Sequence, residues 1–199
     1  RPAREQSTMT ATLPASELLT PAPVRSSDWL GRVLVACEYS GRVRNAFAAL
    51  GWDAWSCDLL PSETPGNHIQ DDVLKHLHHD WDILVGHPEC TRIANSGVRW
   101  LDERGLWDQL DDACRFFRRL IDAPVNHIAL ENPIPHKYAL DRIGQNLPKL
   151  TPSNVVSGRE QRIWKLPPSE DRWKERSRTF SGVAEAMANQ WTLATRPNH

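Results

Sequence analysis

Hydrophobic positions along this chain follow two rhythms. Val33-Leu34-Val35-Ala36-Cys37 is a continuous apolar run, the pattern of a central parallel strand buried on both faces. After the turn Glu38-Tyr39-Ser40-Gly41, Val43, Phe47 and Leu50 recur at helical spacing until Gly51 stops the helix. Ala54 to Cys57 reads as a second strand that ends at Asp58, and Val73 to Leu77 as a short helix. Asp82 to Gly86 is a further buried strand, running into His87-Pro88-Glu89-Cys90. From about Gly105 to Asp122, Leu106, Leu110, Ala113, Phe117, Leu120 and Ile121 form one stripe of a long helix. Val125 to Leu130 is another strand, closed by Glu131-Asn132-Pro133, and a last helix covers Gly182 to Trp191. Strands alternating with helices predict an α/β fold with a mostly parallel, doubly wound sheet. Residues 1–28 are rich in Pro, Ser, Thr and Ala without periodicity and read as a flexible N-terminal arm, leaving residues 29–199 as one domain.

Composition agrees with that reading and narrows it. A chain of 199 residues, 40% apolar and 25% charged, has ordinary globular make-up and room for one core. No apolar run approaches the roughly 18–20 residues of a membrane span, and the first thirty residues lack a signal-peptide core. No membrane association is expected, and a cytoplasmic location is, that of the host if the chain is phage-encoded. The four cysteines lack Cys-x-x-Cys spacing and read as reduced intracellular thiols. His76, His78 and His79, near His68 and His87, match no paired ligand spacing, so no metal is expected. The net charge of −1 advertises no polyanion partner. Locally, Arg159, Arg162, Lys165, Arg172, Lys174, Arg176 and Arg178 interleave with Trp164 and Trp173. Such a strip suits phosphates and stacked bases; it equally suits a solvated face over core tryptophans.

Ligands of doubly wound sheets bind outside the carboxyl ends of the strands. The residues expected there are Glu38 and Gly41, then Asp58, Cys90 and Glu131. Each has an ordinary alternative: Asp58 as a turn former, Cys90 as a small buried hydrophobe, Glu131 as a surface carboxylate. An acid closing the second strand is a common holder of a ribose diol. With Gly41 alone in the first turn, a pyrophosphate would be poorly cradled, which favours an adenosine cofactor without a diphosphate, S-adenosylmethionine (SAM) being the commonest. A thiol beside a carboxylic acid is the pairing that alkylates carbon-5 of a pyrimidine. The thiolate adds at carbon-6 while the acid protonates or hydrogen-bonds ring nitrogen 3. Cys90, presented in a turn after Pro88, suits that role better than Cys37, Cys57 or Cys114, which sit in apolar runs or on a helix.

At these residues, from about Arg32 to Trp191, the chain resembles the DNA cytosine carbon-5 methyltransferases, particularly short, phage-type members. The resemblance implies a Rossmann-like class I SAM-dependent methyltransferase fold and transfer of a methyl group to DNA cytosine through a covalent cysteine adduct. It implies that Glu38, Tyr39, Ser40, Gly41, Asp58, Leu59, Asp72, Val73, His87 and Pro88 line the SAM site. Cys90 and Glu131 would be catalytic, and Asn132, Pro133 and Arg162 would meet the flipped cytosine and its strand. Two features depart from the family pattern. Glu89 stands where a proline usually precedes the cysteine, and a neighbouring carboxylate raises a thiol pKa. The chain from Gly144 to Leu147 is also short. No large target-recognition domain is recognisable, and a monomer or weak oligomer is expected. Two other readings remain: the same chemistry on dCMP or RNA, and a catalytically silent SAM- or DNA-binding relative.

Overall fold

A computed structural model of the chain describes residues 29–131, 134–144 and 166–195. Among these, five strands form one sheet: β1 (Arg32–Ala36), β2 (Asp53–Asp58), β3 (His68–Gln70), β4 (Ile83–Gly86) and β5 (His127–Leu130). Their order is β3-β2-β1-β4-β5, and every neighbouring pair is parallel. The chain moves outward from β1 through β2 to β3, then crosses back to β4 and β5. The carboxyl ends of β1 and β4 therefore flank the topological switch point, where such sheets open a crevice.

Alternation along β1 explains why both faces are covered. Val33 and Val35 pack with Val43 and Phe47 of α1 (Arg42–Ala49) and with Ala184 and Ala188 of α6 (Ser181–Thr195). Leu34 and Ala36 point the other way, toward Val73, Leu77, Trp81 and Leu120. All five residues of β1 are buried, which is why the strand reads as an unbroken apolar run. On α3 (Trp107–Ile121), Leu110, Cys114, Phe117 and Leu120 are buried, following the helical stripe. Part of that stripe supports Ile93, Leu101 and α4 (Lys137–Ile143) in a third cluster. Truncating Phe47, wholly buried between α1 and α6, would cost about 3–5 kcal/mol through the cavity it leaves.

The expected strands and the long helix are present within one to three residues. The helix predicted over Val73 to Leu77 is a single 3-10 turn, Val73–Lys75, capped by Asp72. Four short elements follow no sequence rhythm: β3, α2 (Trp100–Glu103), α4 and α5 (Arg172–Ser177). The result is α/β with an all-parallel sheet, compatible with a Rossmann-like arrangement. No helix among the described residues is long and apolar enough to cross a membrane.

Candidate active site

The turn after β1 is built around two buried charges. Cys37 leaves the strand at a φ of 59°, a left-handed conformation uncommon outside glycine. The chain thereby turns so that the Glu38 carboxylate accepts the backbone N–H groups of Val43 (2.6 Å) and Arg44 (3.1 Å). These are donors of the first turn of α1, which have no intrahelical acceptor. Ser40 Oγ donates to the same carboxylate at 3.3 Å. Glu38 and Ser40, expected to face a cofactor, instead cap α1 from inside. Gly41 sits at the helix start with φ 68°, and a Cβ there would lie 2.8 Å from Arg44 Cζ. Its freedom admits Arg44 rather than a phosphate. Arg44, fully buried, donates to Ser56 Oγ (2.9 Å), Ser62 Oγ (3.1 Å), Thr64 Oγ1 (2.9 Å) and Pro65 O (2.8 Å). Ser56 is also 2.9 Å from His68 Nδ1, and His68 Nε2 donates to Leu60 O at 2.9 Å. One guanidinium thus secures the loop between β2 and β3.

Asp58 and Asp72 flank the crevice beyond this turn. Each uses one carboxylate oxygen locally, Asp58 Oδ1 accepting from Leu60 N (2.9 Å) and Asp72 Oδ1 from Leu74 N (3.0 Å). Burial pushes the Asp58 carboxyl above its ordinary range. Both acids act on Cys37, whose thiol is pushed up to about 12, chiefly by burial. Leu59, 73% exposed, presents an apolar side chain at this rim. Val73, expected among the cofactor contacts, is buried in the core beside Leu77 and Trp81.

The ends of β4 and β5 carry the candidate chemistry. Glu131 N donates to Gly86 O at 2.9 Å, which extends the β4–β5 ladder to the residue before the reactive loop. His87 Nδ1 then lies 3.7 Å from Glu131 Oε2, while His87 Nε2 is buried without a hydrogen-bond partner. His87, expected beside a cofactor, faces the acid. Its hydrogen bonding holds the Glu131 carboxyl below its ordinary range despite some burial. Pro88 is buried, with its Cδ 3.7 Å from where a Cβ on Gly86 would be.

Cys90 is half-buried, and its carbonyl accepts from Ile93 N (3.0 Å) and Ala94 N (2.8 Å) in a tight turn. Burial raises its thiol pKa first, the charge of Glu131 second and that of Glu89 behind them. The expected effect of Glu89 is therefore present but secondary, and its carboxylate accepts the Thr91 hydroxyl at 2.6 Å. Of the other thiols, Cys57 and Cys114 are buried in clusters, and Cys57 is pushed up to about 12. Cys90 is the thiol placed for reaction.

Sequence patterns did not reveal the link between the two reactive segments. Ala94 and Pro135 form an isolated antiparallel bridge, and Asn95 N donates to Ile134 O at 3.0 Å. His136 donates from Nε2 to Arg92 O (2.7 Å) and accepts Ala139 N on Nδ1 (3.1 Å), capping α4. Histidine is not among the preferred capping residues, so no motif flagged it.

Helix α5 lies against the β1 turn. Tyr39 is buried, its hydroxyl donating to Lys174 O (2.8 Å), and its ring meets Trp173 at 6.3 Å. Arg178 grips Glu63 with two hydrogen bonds, at 2.9 and 2.5 Å, and Arg42 donates to Thr179 O at 3.0 Å. Tyr39 therefore holds this segment. In the described half of the basic strip, Trp173 is 52% exposed, Lys174 pairs with Asp171, and Arg178 with Glu63 and Glu175. Asn132, Pro133, Arg159, Arg162, Trp164, Lys165 and the arm lie outside the described residues, as does Leu147.

Among the described residues no three His, Cys, Asp or Glu side chains form a metal-binding group. A groove of about 370 Å³ lined by Asp111, Arg118, Arg119 and Arg142 contains none of the strand-end residues. No protein-family model, curated protein or solved structure matches this chain.

Proposed function

We propose that this chain is a SAM-dependent DNA (cytosine-5-)-methyltransferase. One observation carries the reading: adjacent parallel strands deliver a half-buried thiol, Cys90, and a carboxylate, Glu131, to the same end of the sheet, close enough for the second to perturb the first. They stand at the switch-point side, with the acids Asp58 and Asp72 across the crevice.

The residues present fit an adenosine cofactor. Asp58 and Asp72 each keep one carboxylate oxygen outside their local hydrogen bonds, the chemistry a ribose diol or an adenine amine requires, and Leu59 offers an apolar rim. SAM would supply an electrophilic methyl group there. The chain's own residues do the rest. Cys90, as thiolate, forms a bond to carbon-6 of the ring, and the electron pair displaced makes carbon-5 nucleophilic. His87 and Glu131 share a proton at ring nitrogen 3, which offsets the charge that builds on the ring. After methyl transfer to carbon-5, loss of the carbon-5 proton re-forms the double bond and expels the Cys90 thiolate.

DNA containing 5-fluorocytosine tests this directly, because the fluorine blocks the final elimination. Incubated with SAM, the wild-type protein should form a denaturation-resistant complex, and Cys90→Ser should form none. Binding of both reactants without cross-linking would replace this reading with that of a silent relative. Labelled SAM offered with duplex DNA, tRNA or dCMP separates the substrates.

A further inference from the structure

Cys90 faces an electrostatic difficulty. A nucleophilic thiol has to ionise, yet Glu131 lies on one side, Glu89 immediately precedes it, and half of its surface is buried. Each of these opposes the thiolate. His87, the nearest imidazole, is directed at Glu131. The compensating cation has to come from elsewhere in the fold.

Helix α5 brings one. Tyr39 binds both Lys174 O and Ser177 Oγ, at 2.8 and 3.3 Å, so the turn after β1 grips α5 on either side of Arg176. Because β1 and β4 are neighbours in the sheet, this grip sets the helix over the crevice into which the Cys90 loop opens. The other cations at this end are committed. Lys174 pairs with Asp171 at 3.1 Å, and Arg178 with Glu63 and Glu175. Arg176 has no carboxylate partner among the described residues and is exposed. Its charge acts on the Cys90 thiol in the direction that favours ionisation, against burial, Glu131 and Glu89.

We propose that Arg176 is the positioning residue for the reactive thiolate: α5 holds its unpaired guanidinium over the Cys90 loop, where it offsets the two flanking carboxylates. The ionisation itself is simple; the S–H bond breaks, the electron pair stays on sulfur and the proton passes to water. The inference rests on Cys90 being the nucleophile, but its test requires neither SAM nor DNA.

The rate at which iodoacetamide alkylates Cys90 is measured as a function of pH, with the peptide quantified by mass spectrometry. Because that rate follows the thiolate fraction, Arg176→Ala should slow alkylation about threefold to tenfold at pH 7 and move the midpoint upward. The limiting rate at high pH should stay unchanged. Arg176→Lys should restore most of the wild-type profile, and Glu89→Gln should shift the midpoint downward. A purely structural role would change the limiting rate or the melting temperature and leave the midpoint in place. Coincident midpoints for wild type and Arg176→Ala overturn the proposal. A shifted midpoint in a protein that never cross-links to 5-fluorocytosine DNA would leave Arg176 in place and remove the methyltransferase reading instead.

Discussion

Two turns at the same edge of the sheet handle their polar groups in opposite ways. After β1, nearly every polar atom is satisfied within the protein: Glu38 caps α1, and Arg44 serves the loop from Ser62 to Pro65. After β4 and β5, His87 Nε2 is buried without a partner, Glu131 has a side chain 57% exposed, and Arg176 has no carboxylate. Satisfied buried networks stabilise and specify a fold, whereas polar groups left unmatched mark where something else binds or reacts. The difference assigns scaffolding to the first turn and chemistry to the second, although the residue types in both suggested a ligand site.

Substitutions should break this contrast in a graded order. Glu131→Gln should slow adduct formation by about 10²–10⁴-fold, the usual worth of a positioned acid, measured on 5-fluorocytosine DNA. Stability should change by less than about 1 kcal/mol, because the carboxylate is largely in water. Arg44→Ala should do the reverse. Losing a fully buried hub of hydrogen bonds should cost on the order of 3 kcal/mol in denaturant melts, with Cys90 alkylation unchanged in the folded protein. A chemical defect without loss of stability would merge the two turns into one site. Asp58→Ala should weaken SAM binding by roughly 1–3 kcal/mol by calorimetry, and unchanged affinity would move the cofactor elsewhere.

The smallest effect depends on pH. Glu131 has a folded pKa below its ordinary value of about 4.3, so its contribution to stability is fully present above that value. It is lost as pH falls through the lower folded value. Melting curves of wild type and Glu131→Gln should differ slightly at pH 6 and converge near pH 3.

The strands were legible because β1 and β4 are buried on both faces and read as unbroken apolar runs. Cys90, Asp58 and Glu131 could be singled out because each follows such a run. Elements of three to seven residues were not legible. β3 carries one apolar residue, Ile69, between two polar ones, and α4 depends on a histidine cap and on contacts with α3. The role of Glu38 was hidden for a different reason. A carboxylate after a strand looks the same in sequence whether it faces a ligand or folds back onto its own helix, and only the left-handed turn at Cys37 decides.

The bridge between Ala94 and Pro135 has a mechanical consequence. Together with the His136 to Arg92 hydrogen bond, it fastens the segment behind the thiol to the segment behind the acid. Nucleophile and acid therefore ride on a single hinged piece, and any displacement of one as a base enters carries the other with it. Their alignment is kept by this shared mounting rather than rebuilt in each turnover, so loosening it at His136 should make the two groups arrive out of step.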